Sequence, residues 1–171
     1  MRKISLTQKR WLLTIHILFA AIMFGVTVAF LILSLTAANT SSLDVLKACY
    51  NGMHILAKTS VKASTIGTLI TGILLSVLTN WGLFKFYWII VKEVLTIVSI
   101  GLGVVGMYRW SLSAVTFVST AGFDAWQYPS FVVNNEQLLI GIILQIISLG
   151  TMFVISVFKP WGQRKKSDKS N

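Results

Sequence analysis

The sequence predicts an all-α integral membrane protein in which residues 1–161 form a single bundle of four transmembrane helices. Of its 171 residues, 55% are hydrophobic and only 12% are charged, whereas soluble domains contain about 25% charged residues. The mean hydropathy is +0.77, and the apolar residues gather into four long blocks. We expect spans at about residues 11–35, 55–79, 84–108 and 138–158.

The first two blocks predict long helices. Residues 11–35 contain no charged side chain and, at about 1.5 Å per residue, are long enough to cross the roughly 30 Å of a bilayer core. This block is longer than the apolar region of a signal peptide, which has about 7–15 residues, so we expect an uncleaved helix. A helix-compatible stretch that starts at Leu43 precedes the second block and favours one long helix leaning out of the membrane.

The third and fourth blocks differ in charge and in how they connect. The third contains the pair Lys92 and Glu93, whereas the fourth is uncharged and stops at Lys159-Pro160, because proline cannot continue a helix. Between them, residues 110–137 form the only long connection, and it is rich in apolar residues. We expect this segment to form a partly helical extracytoplasmic cap at the membrane interface, where Trp and Tyr are favoured. A substrate lid is the alternative.

Positive charge is concentrated at the ends of the chain. The net charge is +10, and ten of the fifteen Lys and Arg residues lie in the two termini or in the turn between the second and third spans. The positive-inside rule therefore predicts a multi-pass protein of the cell membrane with both termini cytoplasmic. Because these cations flank apolar blocks, contact with lipid is favoured over nucleic-acid binding. The polar, basic tail at residues 162–171 is expected to be disordered.

Small and polar residues recur on one face of the predicted third and fourth helices. These faces should meet inside the bundle, because small residues allow membrane helices to approach closely. A spacing of three or four residues keeps side chains on the same helical face. The residues predicted to face inward are Lys92, Thr96, Ser99, Gly103 and Gly106 in the third span and Gly141, Gln145, Ser148 and Thr151 in the fourth.

His16, Lys92 and Glu93 are the candidate catalytic residues. A charged side chain at the centre of a span costs about 2.5–3.5 kcal/mol on insertion scales, so ionisable residues in spans are functional candidates. The first and third spans run in the same direction, so His16 and Lys92 should lie at similar depth near the inner leaflet and face one cavity. The alternative is structural: Lys92 reaches the headgroups or pairs with Glu93, and His16 bonds a neighbouring helix.

A second, weaker candidate is a metal site formed by Cys49, Met53 and His54 on adjoining helical turns. Thiolate, thioether and imidazole groups are the ligands that suit Cu(I), although the lysines nearby would oppose a cation. A bis-histidine haem is not expected, because the two histidines, His16 and His54, should lie in opposite leaflets. Ligation of haem by one histidine, with a methionine or an open sixth position, stays open.

Three short motifs resemble a known group of bacterial membrane proteins. Residues 16–25 have a histidine, eight apolar positions and a glycine; Trp88-Ile-Ile-Val-Lys92 lies in the third span, and Thr71-Gly72 lies in the preceding one. This pattern resembles copper-resistance protein D-like membrane domains and HemJ-like protoporphyrinogen oxidases. The arginine that follows the first-span glycine in HemJ-like proteins is absent here.

The resemblance implies a four-helix membrane fold and a site that uses His16 and Lys92. The leading expectation is a redox- or porphyrin-associated membrane protein, with His16 as the cofactor-binding residue for haem or porphyrin. One alternative is a component for copper or small-solute transport. Another is a non-enzymatic accessory subunit, with a membrane-protein partner or a second copy of the chain alongside the lipid bilayer.

Overall fold

The computed structural model describes residues 4–79 and 82–162. Within these residues all regular secondary structure is helical, which confirms the all-α prediction. Four helices are long and apolar enough to cross a membrane, as expected of a multi-pass membrane protein. They are α1 (Leu6–Asn39), α2 (Leu43–Leu78), α3 (Tyr87–Gln127) and α4 (Pro129–Phe158).

Neighbouring helices run antiparallel. On α1 and α2, a Cβ placed on Gly52 would lie 3.6 Å from Leu33 Cδ1, and one placed on Gly72 would lie 3.3 Å from His16 Cε1. Later residues of α1 therefore contact earlier residues of α2, so the two helices are antiparallel. With short connections between the helices, the same reversal recurs along the chain, and the bundle has an up-down-up-down topology.

The start of α1 and the end of α4 therefore lie at the same end of the bundle. We call the half of the bundle at this end, which contains His16 and Lys92, the proximal half. The distal half is the other one, which contains His54 and Trp110. All proposals below refer to these two halves.

The main hydrophobic core lies in the distal half. Phe131 of α4 is fully buried, with its ring centroid 5.0 Å from that of Trp126 and 5.9 Å from that of Tyr50. The Tyr50 hydroxyl donates a hydrogen bond of 2.9 Å to Asn135 Oδ1, so this buried polar group is satisfied. Aromatic burial together with a paired hydroxyl fixes how α2 and α4 pack against each other.

Trp110 also packs between helices in the distal half, and glycines make room for it. A Cβ placed on Gly106 or Gly141 would lie 2.6 Å or 2.5 Å from the Trp110 ring. The small residues predicted to face inward on α3 are indeed turned to the interior, and so are those on α4 with one exception. Thr151 is exposed, and the inward face continues through Met152, whose sulfur lies 3.6 Å from Thr96 Oγ1.

The partly helical segment expected at residues 110–137 is formed by the ends of two long helices rather than by an element of its own. The α-helical part of α3 continues to Ala121, and α4 already begins at Pro129. Gly122 ends that α-helix because it adopts φ 57°, a conformation that glycine tolerates, and proline suits the first position of the next helix. Some apolar residues of this segment, among them Val118, Ala125 and Phe131, belong to the core at the ends of two long helices. The basic tail predicted at 162–171 lies outside the described residues except for Gly162.

Two π-helical turns interrupt the bundle near its middle. One covers Ala57–Val61 in α2 and the other covers Gly101–Met107 in α3. They face each other, since a Cβ on Gly103 would lie 3.4 Å from Val61 Cγ1. On the distal side of these turns α2 and α3 pack together, whereas on the proximal side they separate. A cavity lies where they separate.

Candidate functional site

A cavity of about 650 Å³ lies in the proximal half and is bounded by all four helices. Ligand pockets in proteins usually have volumes of about 300–1,000 Å³, so this one has the size of a small-molecule site. Its walls are mostly apolar, as is typical of such pockets. The ionisable side chains in its wall are His16, Lys92, Glu93 and Lys159.

The structure places His16 and Lys92 in the wall of this one cavity, as their matched depth predicts. Lys92 is close enough for its charge to act on the His16 ring. Glu93, the third residue singled out from the sequence, lines the same cavity. Sequence reasoning missed Lys159, because a lysine at the end of the last span reads as a lipid anchor.

The hydrogen bonds of His16 determine which ring nitrogen carries the proton. His16 Nδ1 lies 2.8 Å from Thr71 Oγ1, and Thr71 Oγ1 donates a hydrogen bond of 2.6 Å to the Gly67 carbonyl. A hydroxyl has one proton to donate, so when Thr71 donates it to the Gly67 carbonyl, a neutral His16 ring donates Nδ1–H to Thr71. We therefore expect the lone pair on Nε2. A neutral imidazole held in this way can accept a proton or bind a metal through Nε2.

Glycine on α2 sets the position of the His16 ring. A Cβ at Gly72 would lie only 3.3 Å from His16 Cε1 and 3.8 Å from Nδ1. A methyl group here would press on the ring, which would have to move by a few tenths of an ångström to make room. Thr71 therefore holds the His16 ring through a hydrogen bond, and the neighbouring Gly72 leaves room for the ring.

At the proximal end of the cavity two lysines approach one indole ring. Lys92 Nζ and Lys159 Nζ each lie 6.0 Å from the centroid of the Trp88 ring, the outer limit of a cation–π contact. The ring itself is buried, with 6% exposure, beside Ile89 and Ile155. Both lysines thus approach the same ring, and both line the cavity.

Two polar atoms around the cavity are buried without a hydrogen-bond partner in the described part of the chain, Glu93 Oε1 and Thr68 Oγ1. Buried polar atoms in native proteins are usually paired with protein groups or with water. Both residues line the cavity, so a ligand or ordered water there has groups with which to pair.

The proposed copper ligands have other roles in the structure. Cys49 and Met53 are buried in the hydrophobic core, and His54 packs its ring 5.3 Å from that of Tyr108. His54 Nδ1 also lies 3.4 Å from Ser111 Oγ. Over residues 4–79 and 82–162, no group of three or more His, Cys, Asp or Glu side chains is arranged to hold a metal ion.

In comparisons with known proteins, no family model, no curated protein and no solved structure matched this chain significantly.

Proposed function

We propose that this protein binds a tetrapyrrole in the proximal cavity and acts as a redox- or porphyrin-associated membrane protein, with His16 and Lys92 as its site residues. One observation carries the proposal: an imidazole hydrogen-bonded to Thr71 and a lysine line the same apolar cavity. A ring system with carboxylate groups needs this combination of apolar walls, a nitrogen donor and cations. The resemblance noted in the sequence concerns the same two residues.

Each residue has a distinct role in this proposal. His16 would hold a haem through Nε2 or accept a proton from a metal-free porphyrin, and the hydrogen bond to Thr71 would orient its ring. Lys92 pairs with a carboxylate, and the apolar walls exclude water. A bound tetrapyrrole would supply the redox chemistry itself, while the protein supplies binding, orientation and electrostatics.

Orientation in the cell membrane belongs to the same proposal. Among described residues, Lys9, Arg10, Lys85 and Lys159 lie in or beside the proximal end of the bundle. The positive-inside rule favours this end on the cytoplasmic side. The cavity would then open at the depth of the inner leaflet.

The other functions predicted from the sequence have less support. Copper handling depends on Cys49 and Met53, which are buried in the core, and on His54, which packs against α3. An accessory role beside a membrane partner or a second copy of the chain stays a prediction.

The test is an optical spectrum with mass spectrometry on protein extracted in a mild detergent, followed by titration of the purified protein with haem and with protoporphyrin. We expect a Soret band and near-stoichiometric binding. Lys92→Met should weaken binding roughly 10- to 100-fold, the equivalent of a charge-assisted hydrogen bond of about 1.5–3 kcal/mol. His16→Gln should change or abolish the Soret band, and His54→Gln is the matched control.

The proposal fails if neither tetrapyrrole binds the wild-type protein. It fails equally if His54→Gln alters the spectrum as much as His16→Gln does. Thermal unfolding of each variant separates loss of the site from loss of the fold.

A further inference from the structure

The cavity in the proximal half opens sideways, between α2 and α3. Within the described residues, α2 and α3 do not pack against each other on the proximal side of the π turns, whereas α1 with α2 and α3 with α4 remain in contact there. Three large apolar residues beside this gap both line the cavity and lie on the outer surface. They are Leu69, Ile73 and Ile97, with 37%, 47% and 70% exposure.

The gap favours a molecule without charge. In a bilayer, the outer surface between two spans faces hydrocarbon, so a molecule dissolved in the membrane reaches the cavity without crossing the headgroup layer. A charged group at the centre of a span costs about 2.5–3.5 kcal/mol, and the apolar side chains beside the gap offer such a group no partner. The cavity behind the gap, of about 650 Å³, has room for a small lipophilic molecule.

The edge of the gap on α2 lies beside the His16 ring. The ring packs against α2, with Nδ1 2.8 Å from Thr71 Oγ1 and Cε1 3.3 Å from the position of a Cβ on Gly72. Ile73 directly follows Gly72 in the chain, and Leu69 lies one turn before Ile73. The same turn of α2 therefore carries both the edge of the gap and the contacts that hold the imidazole.

His16 has a second ring nitrogen with which to bind a ligand. The hydrogen bond to Thr71 uses Nδ1, and the two nitrogens of an imidazole point away from each other, so Nε2 is directed away from Thr71. The residue lines the cavity. A hydroxyl group suits Nε2 in either tautomer of the ring, because a hydroxyl can donate to a lone pair and can accept from an N–H group.

A further polar atom on α2 lacks a partner close to this place. Thr68 lies one turn before Gly72 and also lines the cavity. Its Oγ1 is buried without a hydrogen-bond partner in the part of the chain that the structure describes. Buried polar atoms in native proteins are usually paired, so a polar group is expected in the cavity on the side of α2.

From the lateral gap and the position of His16 we propose that the cavity binds an uncharged lipophile with a hydroxyl group, which enters from the hydrocarbon between α2 and α3. The hydroxyl pairs with His16 Nε2, and the apolar part of the ligand lies along the cavity wall. Neither Lys92 nor Lys159 is needed for this binding. The inference goes beyond the proposed function, because it concerns a ligand without charge and without redox chemistry.

The test uses photoactivatable diazirine probes in liposomes that contain the purified full-length protein. Three probes share one C16 chain and differ only in the head: hexadecanol, its methyl ether and palmitic acid. The ether cannot donate a hydrogen bond. We expect the alcohol to label cavity-lining residues of α2 and α3 about fivefold more than the ether, which corresponds to one hydrogen bond of about 1 kcal/mol, and also more than the acid.

The role of His16 is tested with His16→Phe, which keeps a ring at this position but has no nitrogen. The preference for the alcohol over the ether should disappear in this variant. His54→Phe, at the other histidine of the chain, is the matched control and should keep the preference. Thermal unfolding of both variants shows whether the fold is retained, and the comparison of the three probes on the wild-type protein needs no substitution.

Access is tested with Ile73→Trp, which places a large ring at the gap, against Ile70→Trp on the same helix. Ile70 is 52% exposed and does not line the cavity. Labelling inside the cavity should fall several-fold in the first variant and stay unchanged in the second, with both variants checked for wild-type thermal stability. Equal labelling of the two variants overturns lateral access.

Equal labelling of the cavity by the alcohol and the ether overturns the role of the hydroxyl, and stronger labelling by the acid overturns the uncharged ligand. A preference that survives His16→Phe overturns the pairing with His16, and labelling confined to outward-facing residues overturns the site itself. Selective labelling in a protein that binds no tetrapyrrole supports this inference while the proposed function fails. Tetrapyrrole binding without selective labelling has the opposite meaning, so the two proposals are decided separately.

Discussion

Gly141→Ala should destabilise the protein, because the ring of Trp110 occupies the space that the new methyl group needs. The added Cβ would lie 2.5 Å from Trp110 Cζ3, whereas carbon atoms in good contact are about 3.5–4.0 Å apart. The overlap of about 1 Å has to be relieved by moving the ring or α4, and overpacking of this kind costs about 1–3 kcal/mol.

Gly150→Ala is the matched control on the same helix. A Cβ at Gly150 meets nothing within 4 Å, so that variant keeps the gain in helix propensity, about 0.8–1.0 kcal/mol, without a clash. Because both variants share this gain, the difference in stability between them isolates the clash. For a chain of this length, about 1 kcal/mol corresponds to about 2–4 °C, so Tm should be lower in Gly141→Ala by about 2–12 °C.

The assay is thermal unfolding in one detergent, followed by circular dichroism. A second pair of variants in a Trp110→Leu background should show a much smaller difference, since the ring that causes the clash is gone. A Tm for Gly141→Ala equal to or above that of Gly150→Ala would refute the packing described here.

Three further predictions concern single side chains. In ¹⁵N NMR of the histidine rings, His16 should be protonated at Nδ1, and Thr71→Val but not Thr71→Ser should shift the proton toward Nε2; a proton on Nε2 in the wild type contradicts the hydrogen-bond assignment. Tyr50→Phe should lower the free energy of unfolding by about 1 kcal/mol, because it breaks a buried bond to Asn135, whereas Tyr128→Phe, at a half-exposed ring, should change it little; equal losses would count against this bond. Lys159→Gly should raise the free energy of unfolding by about 1 kcal/mol by relieving the left-handed backbone; a lower free energy of unfolding would count against this conformation.

The helices themselves could be predicted because the bilayer imposes a simple rule. A chain in hydrocarbon must satisfy its backbone hydrogen bonds internally, so four long apolar blocks lead to four helices. Depth could be inferred in the same way: two parallel helices place His16 and Lys92 at comparable levels, and the structure has both in one cavity.

Other features could not be predicted from local pattern. Residues 110–121 are more polar than a membrane span, and we therefore predicted a connection there. A helix can continue past the thickness of a bilayer, so this polarity does not mark the end of the helix. The glycine at 122 ends the α-helical part of α3, and the proline at 129 begins α4. The place of Lys159 in the cavity wall goes with a left-handed backbone position after the last helix, which periodicity does not reveal.

The two π turns also determine how the chain tolerates a change in length. A π-helical turn has one residue more than an α-helical turn, and each residue in an α-helix turns the chain by about 100°. Deleting one residue within Gly101–Met107 would convert this turn to α-helical geometry and leave the direction of Lys92 relative to the distal core nearly unchanged. Deleting one residue from the regular α-helix between Lys92 and Gly101 would instead rotate Lys92 by about 100°. The aim of Lys92 into the cavity therefore tolerates the loss of a residue at the π turn but not in the regular helix beside it.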